Sequence, residues 1–385
     1  MFARKATLPG RSFFLFGPRG TGKTTWLRRV LADARWYDLL DDREVSRLAR
    51  DPDLLRAEIE APGGKPWVVI DEVQRLPRLL DVVQGVLTRR PGRCRFALSG
   101  SSAHRLKREG ANLLPARVVN RKFFPLTAGE LGDSFRLDRV LRYGGLPAVQ
   151  AEERDEGRVD LLEAYAANYV AQEVRIEASV RNLHSFARFL DVAALANGQV
   201  TNVSGIARDA AVSRTTVQGY FDTLVDTLIG VWLPAWRPRA KVKEVQHPKF
   251  YFFDPGVVRA IAGRLREPVD GLERGALLET WVLHELRAYM DRASLGGDLS
   301  YWRTPSGTEV DFLWKRAGKA VAMECKAAGR WRPEFGRGLA ELAAGGHVRR
   351  AFGIYLGDRA LRFDRFLVLP VTEFLARLAE GEVLG

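Results

Sequence analysis

A glycine-rich loop between a short apolar run and a helical stretch constrains the fold of this chain more than any other feature. Residues 12–16 read Ser-Phe-Phe-Leu-Phe, a run typical of a buried strand in a parallel sheet. Residues 17–24 follow as Gly-Pro-Arg-Gly-Thr-Gly-Lys-Thr, with the spacing Gly-x-x-x-x-Gly-Lys-Ser/Thr, and residues 24–30 are expected to be helical. The glycines let successive N–H groups face one anion, to which the helix also presents its N-terminus. This order of elements predicts an α/β domain with a phosphate-binding loop.

The chemistry of a nucleoside triphosphate assigns roles to the side chains of this loop. Lys23 is expected to reach the β- and γ-phosphates, and the hydroxyl of Thr24 to ligate Mg²⁺. The predicted nucleotide-binding residues are Gly17, Pro18, Arg19, Gly20, Thr21, Gly22, Lys23, Thr24 and Thr25.

A second apolar run ends in two carboxylates. Residues 67–70 read Trp-Val-Val-Ile, and Asp71 and Glu72 follow directly. Because parallel strands end at the same edge of a sheet, both carboxylates are expected beside the phosphate-binding loop. Asp71 would hold Mg²⁺ through water, and Glu72 would act as the general base on the attacking water. A carboxylate in the second role indicates hydrolysis rather than binding alone.

A third predicted strand, residues 95–98, leads into hydroxyl side chains. Ser99 and Ser101 are candidates for sensing the γ-phosphate at the same edge of the sheet. One of the basic residues that follow could be an arginine finger reaching a neighbouring subunit's nucleotide, although each could equally be an ordinary surface residue. These basic residues are Arg105, Lys107, Arg108 and Arg117.

The charge of the chain is unevenly distributed. The formal net charge is +13, of which residues 1–130 carry +11, residues 131–260 carry 0 and residues 261–385 carry +2. A basic excess of this kind often indicates a nucleic-acid partner, which we expect on the first part of the chain. A solvated arginine-rich surface is the alternative.

The composition excludes several classes of protein. With 46% hydrophobic and 28% charged residues, the chain is typical of an ordinary globular protein. No apolar run approaches 18 residues, and the N-terminus lacks the apolar region of a signal peptide. The two cysteines, Cys94 and Cys325, are too few for a disulfide framework or a cysteine zinc site. We therefore expect a cytoplasmic protein without a membrane partner.

Changes in composition divide the chain into three predicted parts. An acidic helical stretch begins near Ala151, directly after the turn-like run Tyr-Gly-Gly-Leu-Pro at residues 143–147, and a proline-containing basic segment follows Trp236. The predicted division is a P-loop domain at 1–150, a helical domain at 151–238 and a mixed α/β domain at 239–385.

Residues 201–228 have the spacing of a helix-turn-helix. Residues 201–210 are expected to form a short helix, and Ser213 to cap a second one. The apolar runs at 231–233 and 250–253 could supply the strands of a wing. A buried stripe on the second helix is predicted at Val217, Phe221, Leu224 and Leu228.

The exposed first turn of that second helix could contact DNA. Its side chains can bond phosphates or base edges in a major groove. Against DNA contact stand Asp222 and Asp226 on the same helix, and the zero net charge of residues 131–260. A role in packing or in binding protein therefore remains an open alternative. The candidate DNA-contacting residues are Arg214, Thr215, Thr216 and Gln218.

The last part of the chain carries an acidic constellation. Glu279 lies in a predicted helix, Asp311 in a predicted strand, and Glu324 in the next strand, two residues before Lys326. Side chains at i and i+2 share a strand face, so Glu324 and Lys326 can point at one site together with Asp311. This arrangement resembles the PD-(D/E)xK nuclease core, which implies a second Mg²⁺ or Mn²⁺ and a water-activating lysine. A degenerate fold, with the carboxylates paired to Lys326 or Arg303, is the alternative.

Four motifs together resemble one family. They are Ile-Asp-Glu-Val-Gln-Arg-Leu-Pro at 70–77, Leu-Ser-Gly-Ser-Ser at 98–102, Phe-Pro-Leu-Thr at 124–127 and Tyr-Gly-Gly-Leu-Pro at 143–147. Over nearly the whole chain the sequence resembles the bacterial and archaeal AAA-type ATPases that carry a DUF4143 C-terminal region. The resemblance implies ATP as the nucleotide and a homo-oligomer, for example a hexameric ring. Where the family usually has Leu-x-Gly-Arg-Val, this chain has Leu-Pro-Ala-Arg-Val at 114–118.

Three functions are compatible with these features. The first is a Mg²⁺-dependent ATPase that binds DNA and couples hydrolysis to remodelling or translocation, including on branched DNA. The second is a nucleotide-operated switch regulated by a protein partner. The third is an ATP-gated, metal-dependent DNA nuclease that acts in defence.

Overall fold

The computed structural model describes residues 2–63, 65–101, 106, 114–170, 182–236 and 247–384. The candidate finger residues Arg105, Lys107 and Arg108 and most of the basic segment after Trp236 lie outside these ranges. Within these ranges, no helix combines the length and the apolar composition that a membrane-spanning segment requires.

The first part of the chain forms a five-stranded parallel sheet with helices, which confirms the predicted P-loop type of α/β fold. The strand order is β2-β3-β4-β1-β5. The strands are β1 (Phe13–Phe16), β2 (Arg35–Asp38), β3 (Trp67–Asp71), β4 (Arg95–Gly100) and β5 (Val119–Lys122). The helices are α1 (Lys23–Val30), α2 (Asp42–Arg50), α3 (Asp53–Glu60) and α4 (Leu79–Arg89).

Strand β1 is buried on both faces. Phe13 and Leu15 pack in one hydrophobic cluster with Trp26, and Phe14 and Phe16 pack in another. A continuous apolar run is therefore required here, because helices cover both sides of a parallel sheet. The loop that follows β1 is consequently anchored inside the sheet, between β4 and β5.

The middle of the chain is helical and ends in a two-stranded antiparallel hairpin. Its helices are α5 (Ala128–Leu131), α6 (Leu137–Tyr143), α7 (Pro147–Ala151), α8 (Asp155–Ala164), a π-helix (Tyr165–Val170), α9 (Leu183–Leu195), α10 (Val203–Asp209) and α11 (Arg214–Asp226). The hairpin pairs β6 (Gly230–Leu233) with β7 (Lys249–Phe252).

The last part contains a mixed six-stranded sheet with the order β12-β13-β11-β10-β9-β8. Its strands are β8 (Asp298–Arg303), β9 (Glu309–Arg316), β10 (Lys319–Lys326), β11 (Arg350–Tyr355), β12 (Leu361–Arg362) and β13 (Leu367–Pro370). The helices are α12 (Pro255–Ile261), α13 (Gly271–Arg292), α14 (Arg337–Ala344) and α15 (Val371–Glu380).

A buried aspartate joins α12 to the glycine pair after α6. The carboxylate of Asp254 caps α12 by accepting from Val257 N (3.1 Å) and also accepts from Gly145 N (2.7 Å). Gly144 has φ 71°, and a Cβ there would lie 1.8 Å from the Asp254 carboxylate. The glycine is therefore required by both its conformation and the close approach of Asp254.

Helix α13 contacts the start of α5 through a buried acid. Glu285 accepts a hydrogen bond from Ala128 N at 2.5 Å, next to the capping box formed by Thr127 and Glu130. Burial raises the pKa of Glu285 to about 8, and the nearby Glu130 adds to the shift. This carboxyl group therefore binds its proton more tightly in the folded chain than in the unfolded chain.

Substituting Glu285 by glutamine is expected to change the pH dependence of stability. Between its ordinary pKa near 4.5 and the folded value of about 8, the folded state binds more protons, so the stability contributed by Glu285 falls as pH rises through this window. Glu285→Gln keeps the acceptor for Ala128 N and should remove this part of the decline, which leaves the variant more stable than wild type at pH 8. Urea unfolding of both proteins between about pH 5 and 9 measures the difference. Identical pH slopes would contradict the role of Glu285.

Candidate nucleotide-binding site and a second charged cluster

The loop after β1 is shaped by glycines at positions where other residues do not fit. Gly20 and Gly22 have φ values of 74° and 90°, which favour glycine. A Cβ at Gly17 would lie 2.2 Å from the carbonyl oxygen of Phe123, so the residue that follows β5 closes one side of the loop. The loop leads into α1, which begins at Lys23, one residue earlier than the sequence predicted.

Lys23 is buried within the curve of this loop. Its Nζ donates to the carbonyl oxygens of Gly17 (2.7 Å) and Pro18 (3.2 Å), and Thr21 Oγ1 also donates to Pro18 O (2.8 Å). The ammonium group is thus fixed by the backbone that surrounds the predicted phosphate position.

The expected metal-ligating residues lie together at the carboxyl edge of the sheet. Thr24 Oγ1 donates to Asp71 Oδ2 at 2.7 Å, and Ser99 Oγ donates to the other oxygen of the same carboxylate. Glu72 N in turn donates to Ser99 Oγ at 3.3 Å. Asp71 is fully buried. Hydroxyl and carboxylate oxygens are the ligands that Mg²⁺ prefers, so the chemistry of this group fits that ion.

Glu72 is held in a left-handed backbone conformation directly after β3. Its φ is 56°, unusual for a residue with a side chain. Gln74 Nε2 donates to Glu72 Oε2 (2.5 Å) and to Ser101 Oγ (3.2 Å), which links Glu72 and Ser101, two of the predicted residues. A Cβ at Gly100 would lie 2.5 Å from Gln74 Oε1. The sequence analysis missed Gln74, although its position two residues after Glu72 was available as a signal.

The predicted finger Arg117 is exposed in the turn before β5. Its backbone N–H donates to Leu114 O at 3.1 Å. Ala116, at the position where the family usually has glycine, has φ 63°. Alanine therefore adopts here a backbone conformation that glycine favours.

A cavity of about 830 Å³ opens beside the loop. Its walls include the loop, Glu72, the N-terminal residues 2–4 and helix α7. Arg4 fixes the N-terminal segment, because its guanidinium donates to Thr21 O (2.7 Å), to Phe124 O (2.6 Å) and to Glu130 (3.1 Å). The sequence analysis missed Arg4, since its partners are distant along the chain.

Two tyrosines of the π-helix contact the loop from the helical part. Tyr165 Oη donates to Arg19 O at 3.0 Å, and Arg19 N donates to Tyr169 Oη at 3.1 Å. The Tyr165 ring lies 3.4 Å from the position that a Cβ at Gly20 would occupy. The backbone around Arg19 is therefore coupled directly to the helices that follow the sheet.

The candidate DNA-contacting residues lie in the first turn of α11. Arg214, Thr215 and Gln218 are exposed, whereas Thr216 is half-buried. Ser213 caps the helix by accepting from Thr216 N at 3.1 Å.

Helix α11 packs on the hairpin through aromatic rings. Phe221 of the predicted buried stripe contacts Trp232 of β6 and Phe250 of β7, with ring centroids 4.8 and 4.6 Å apart. Leu228 was predicted in the same stripe. It lies beyond the end of α11, and its backbone has a left-handed conformation.

The acidic constellation of the last part comes together around β9 and β10. Asp311 N donates to Glu324 Oε2 at 3.2 Å, and Cys325 N donates to Asp311 Oδ2 at 2.8 Å. Lys326 forms an ion pair with Glu324. Glu279 of α13 belongs to the same cluster. Its burial and, second, the nearby charge of Asp311 raise the pKa of its carboxyl group to about 7.

A residue that the sequence analysis missed, Lys249 of β7, lies within this cluster. Its Nζ is 3.5 Å from Glu279 Oε2, 3.7 Å from Asp311 Oδ1 and 2.5 Å from Glu309 Oε1. Tyr251 Oη donates to Glu279 Oε2 at 2.7 Å. Within the described ranges, no group of three or more His, Cys, Asp or Glu side chains has an arrangement that could hold a metal ion.

Family models match three consecutive segments of the chain. An AAA domain matches residues 10–132, and the domains of unknown function DUF8612 and DUF4143 match residues 134–267 and 274–374. The sequence is also similar to proteins that are described as uncharacterized. One from Mycobacterium tuberculosis is 27% identical over 96% of this chain and 82% of its own length, and one from Haemophilus influenzae is 23% identical over 70% and 68%.

Two solved structures are similar to parts of the chain. The replication initiator DnaA bound to AMPPCP and single-stranded DNA has a TM-score of 0.27 and 13% identity, covering 56% of this chain and 82% of that one. Protein VC1899 from Vibrio cholerae has a TM-score of 0.23 and 15% identity, covering 86% and 94%. The AAA and DUF4143 matches agree with the resemblance of the four motifs. The chain is a protein with an N-terminal AAA domain, of the ATPase type, and a C-terminal DUF4143 region.

Proposed function

We propose that this protein is a Mg²⁺-dependent ATPase that binds DNA and couples ATP hydrolysis to remodelling or translocation of the DNA, including branched DNA. The observation that carries the ATPase part is the hydrogen-bonded group Thr24, Asp71 and Ser99, with Glu72 beside it, at the sheet edge where the glycine-rich loop begins. The adjoining cavity of about 830 Å³ is large enough for a nucleotide.

The roles of the residues follow from their chemistry. Lys23 exchanges its bonds to the loop carbonyls for the β- and γ-phosphates, while the loop N–H groups and the α1 N-terminus bind the remaining phosphate oxygens. Thr24 and, through water, Asp71 would hold Mg²⁺, which would neutralise charge on the phosphates. Glu72 accepts a proton from the attacking water, and Ser99 and Ser101 sense the γ-phosphate.

The DNA part of the proposal is supported by charge and by the shape of the helical part. Residues 1–130 carry a net charge of +11. Helices α10 and α11 with the β6–β7 hairpin have the order of a winged helix-turn-helix, and the exposed Arg214 and Gln218 lie in the first turn of α11. The connection between the two strands includes four basic residues, Arg237, Arg239, Lys241 and Lys243.

Steady-state ATPase assays without DNA, and with single strands, duplex or four-way junctions, test this proposal. We expect one DNA structure to stimulate the rate strongly and the stimulation to decline as salt increases, because phosphate contacts release counterions. Arg214→Ala should weaken the stimulation more than Arg365→Ala, which removes the same charge from the turn before β13. A flat response to all DNA structures would instead favour the switch that is regulated by a protein partner.

The contacts of the π-helix tyrosines with the Arg19 backbone favour the switch as the second candidate. They give a route by which loop occupancy changes the helical part without DNA. In either function we infer a homo-oligomer, with Arg117 reaching a neighbouring nucleotide, from the resemblance to AAA ATPases. The nuclease alternative is not favoured, because an ammonium group lies among the carboxylates of the second cluster.

A further inference from the structure

The cluster that resembles a nuclease core contains its own cation. Lys249 is 3% exposed and reaches three carboxylates from two elements: Glu279 of α13, and Glu309 and Asp311 of β9. Its Nζ also lies over the Tyr301 ring, 5.4 Å from the ring centroid. A buried ammonium group is tolerated only when it is paired, so these carboxylates are the reason it can lie here.

The carboxylates that would ligate a metal already have other partners. Asp311 Oδ1 faces Lys249, and its Oδ2 accepts from Cys325 N at 2.8 Å. Glu324 pairs with Lys326 through one oxygen and accepts from Asp311 N through the other. Glu279 Oε2 accepts from Tyr251 Oη at 2.7 Å and lies 3.5 Å from Lys249 Nζ.

The charges of the neighbouring carboxylates hold the ammonium group of Lys249 in place. Burial alone would lower the pKa of Lys249, but Glu279, Asp311 and Glu309 together raise it above its ordinary value, so the side chain stays protonated. Burial, followed by the charge of Asp311, raises the pKa of Glu324 well above its ordinary value. A divalent ion bound to the same oxygens would lie close to a fixed positive charge and be repelled by it.

We propose that the Lys249 ammonium is the resident cation of this cluster, that it excludes Mg²⁺ and Mn²⁺, and that the C-terminal domain therefore does not cleave DNA. The cluster instead joins the β6–β7 hairpin to the C-terminal sheet through ion pairs. Mg²⁺ requires oxygen ligands at about 2.0–2.1 Å in near-octahedral geometry, which an ammonium group among the same carboxylates prevents.

Titration of Mn²⁺ into nucleotide-free protein, followed by electron paramagnetic resonance or calorimetry, tests the proposal. Wild type and Asp311→Asn should bind Mn²⁺ equally, because any ion at the nucleotide site is common to both. Lys249→Met removes the charge at similar length and should gain a Mn²⁺ site with about tenfold or greater affinity than any in wild type, since Glu279, Glu309 and Asp311 lose the ammonium group that they share. The double variant Lys249→Met/Asp311→Asn should lose that site again.

Two results would overturn the proposal. One is a Mn²⁺ site in wild type that Asp311→Asn removes, or metal-dependent DNA cleavage by wild type that is lost in the same variant. The other is a folded Lys249→Met that binds no more Mn²⁺ than wild type.

Thermal unfolding provides a second readout for a variant too unstable to titrate. Without Lys249 the carboxylates repel one another, so Lys249→Met is expected to unfold at a lower temperature than wild type. Mn²⁺ should raise the Tm of Lys249→Met more than that of wild type, because a ligand stabilises only the state that binds it and any ion at the nucleotide site is common to both proteins. Equal Tm responses of the two proteins to Mn²⁺ would contradict the proposal. This outcome is independent of whether DNA stimulates the ATPase.

Discussion

Lys23→Ala is expected to abolish detectable ATP binding and therefore hydrolysis. The ammonium group is buried inside the loop and is proposed to exchange two backbone carbonyls for the β- and γ-phosphates. Each hydrogen bond between charged partners contributes about 1.5–3 kcal/mol, so the loss of two raises the Kd by about a hundredfold or more. Calorimetric titration with a non-hydrolysable ATP analogue in the presence of Mg²⁺ measures this change.

A charge-matched control separates the loop contact from a general loss of positive charge. Lys65 belongs to the same domain and is half exposed, and its Nζ lies 3.8 Å from the carboxylate of the exposed Asp33. Lys65→Ala should bind the analogue as wild type does. Binding by Lys23→Ala within about threefold of wild type would contradict the assigned role of Lys23.

Glu72→Gln is expected to keep ATP bound but to turn it over slowly. Glutamine has the shape of glutamate and can retain a hydrogen bond with the Gln74 side chain, but it cannot accept a proton from water. General base catalysis contributes about 10²–10⁴-fold, and kcat should fall by that factor while the Kd for ATP changes little. Single-turnover hydrolysis and a binding titration on the same sample measure the two quantities separately.

The control for this substitution is Glu153→Gln, which makes the same chemical change at an exposed position before α8. It should leave both kcat and Kd at their wild-type values. A wild-type kcat in Glu72→Gln would exclude the general-base role, and a parallel loss of binding would indicate a structural role for the Glu72 carboxylate.

The nucleotide site was accessible to sequence reasoning because its signals are local. Strand, glycine loop and helix follow one another within residues 13–30, and Asp71 and Glu72 end a strand that must be parallel to β1. The parallel arrangement places the ends of both strands at one edge of the sheet. The hydrogen bond from Thr24 to Asp71 is a direct consequence of that topology.

Apart from Gln74, the residues that were not predicted from the sequence act over long separations along the chain. Arg4 bonds Glu130, Tyr165 bonds the Arg19 backbone, and Lys249 lies among carboxylates from residues 279–311. An isolated lysine in an aromatic strand carries no periodicity or motif that would indicate such partners. Only the packing of β7 against α13 and β9 reveals them.

The sequence by itself determined the P-loop type of sheet, the position of the glycine loop and the carboxylates at its edge, because strand polarity and backbone geometry act between near neighbours. The tertiary structure alone decided what surrounds these elements: the tyrosines on the loop, the arginine on the N-terminal segment, and the ammonium group among the C-terminal carboxylates. A buried charge needs partners of opposite sign within a few ångströms, and which partners it finds depends on how distant segments pack together.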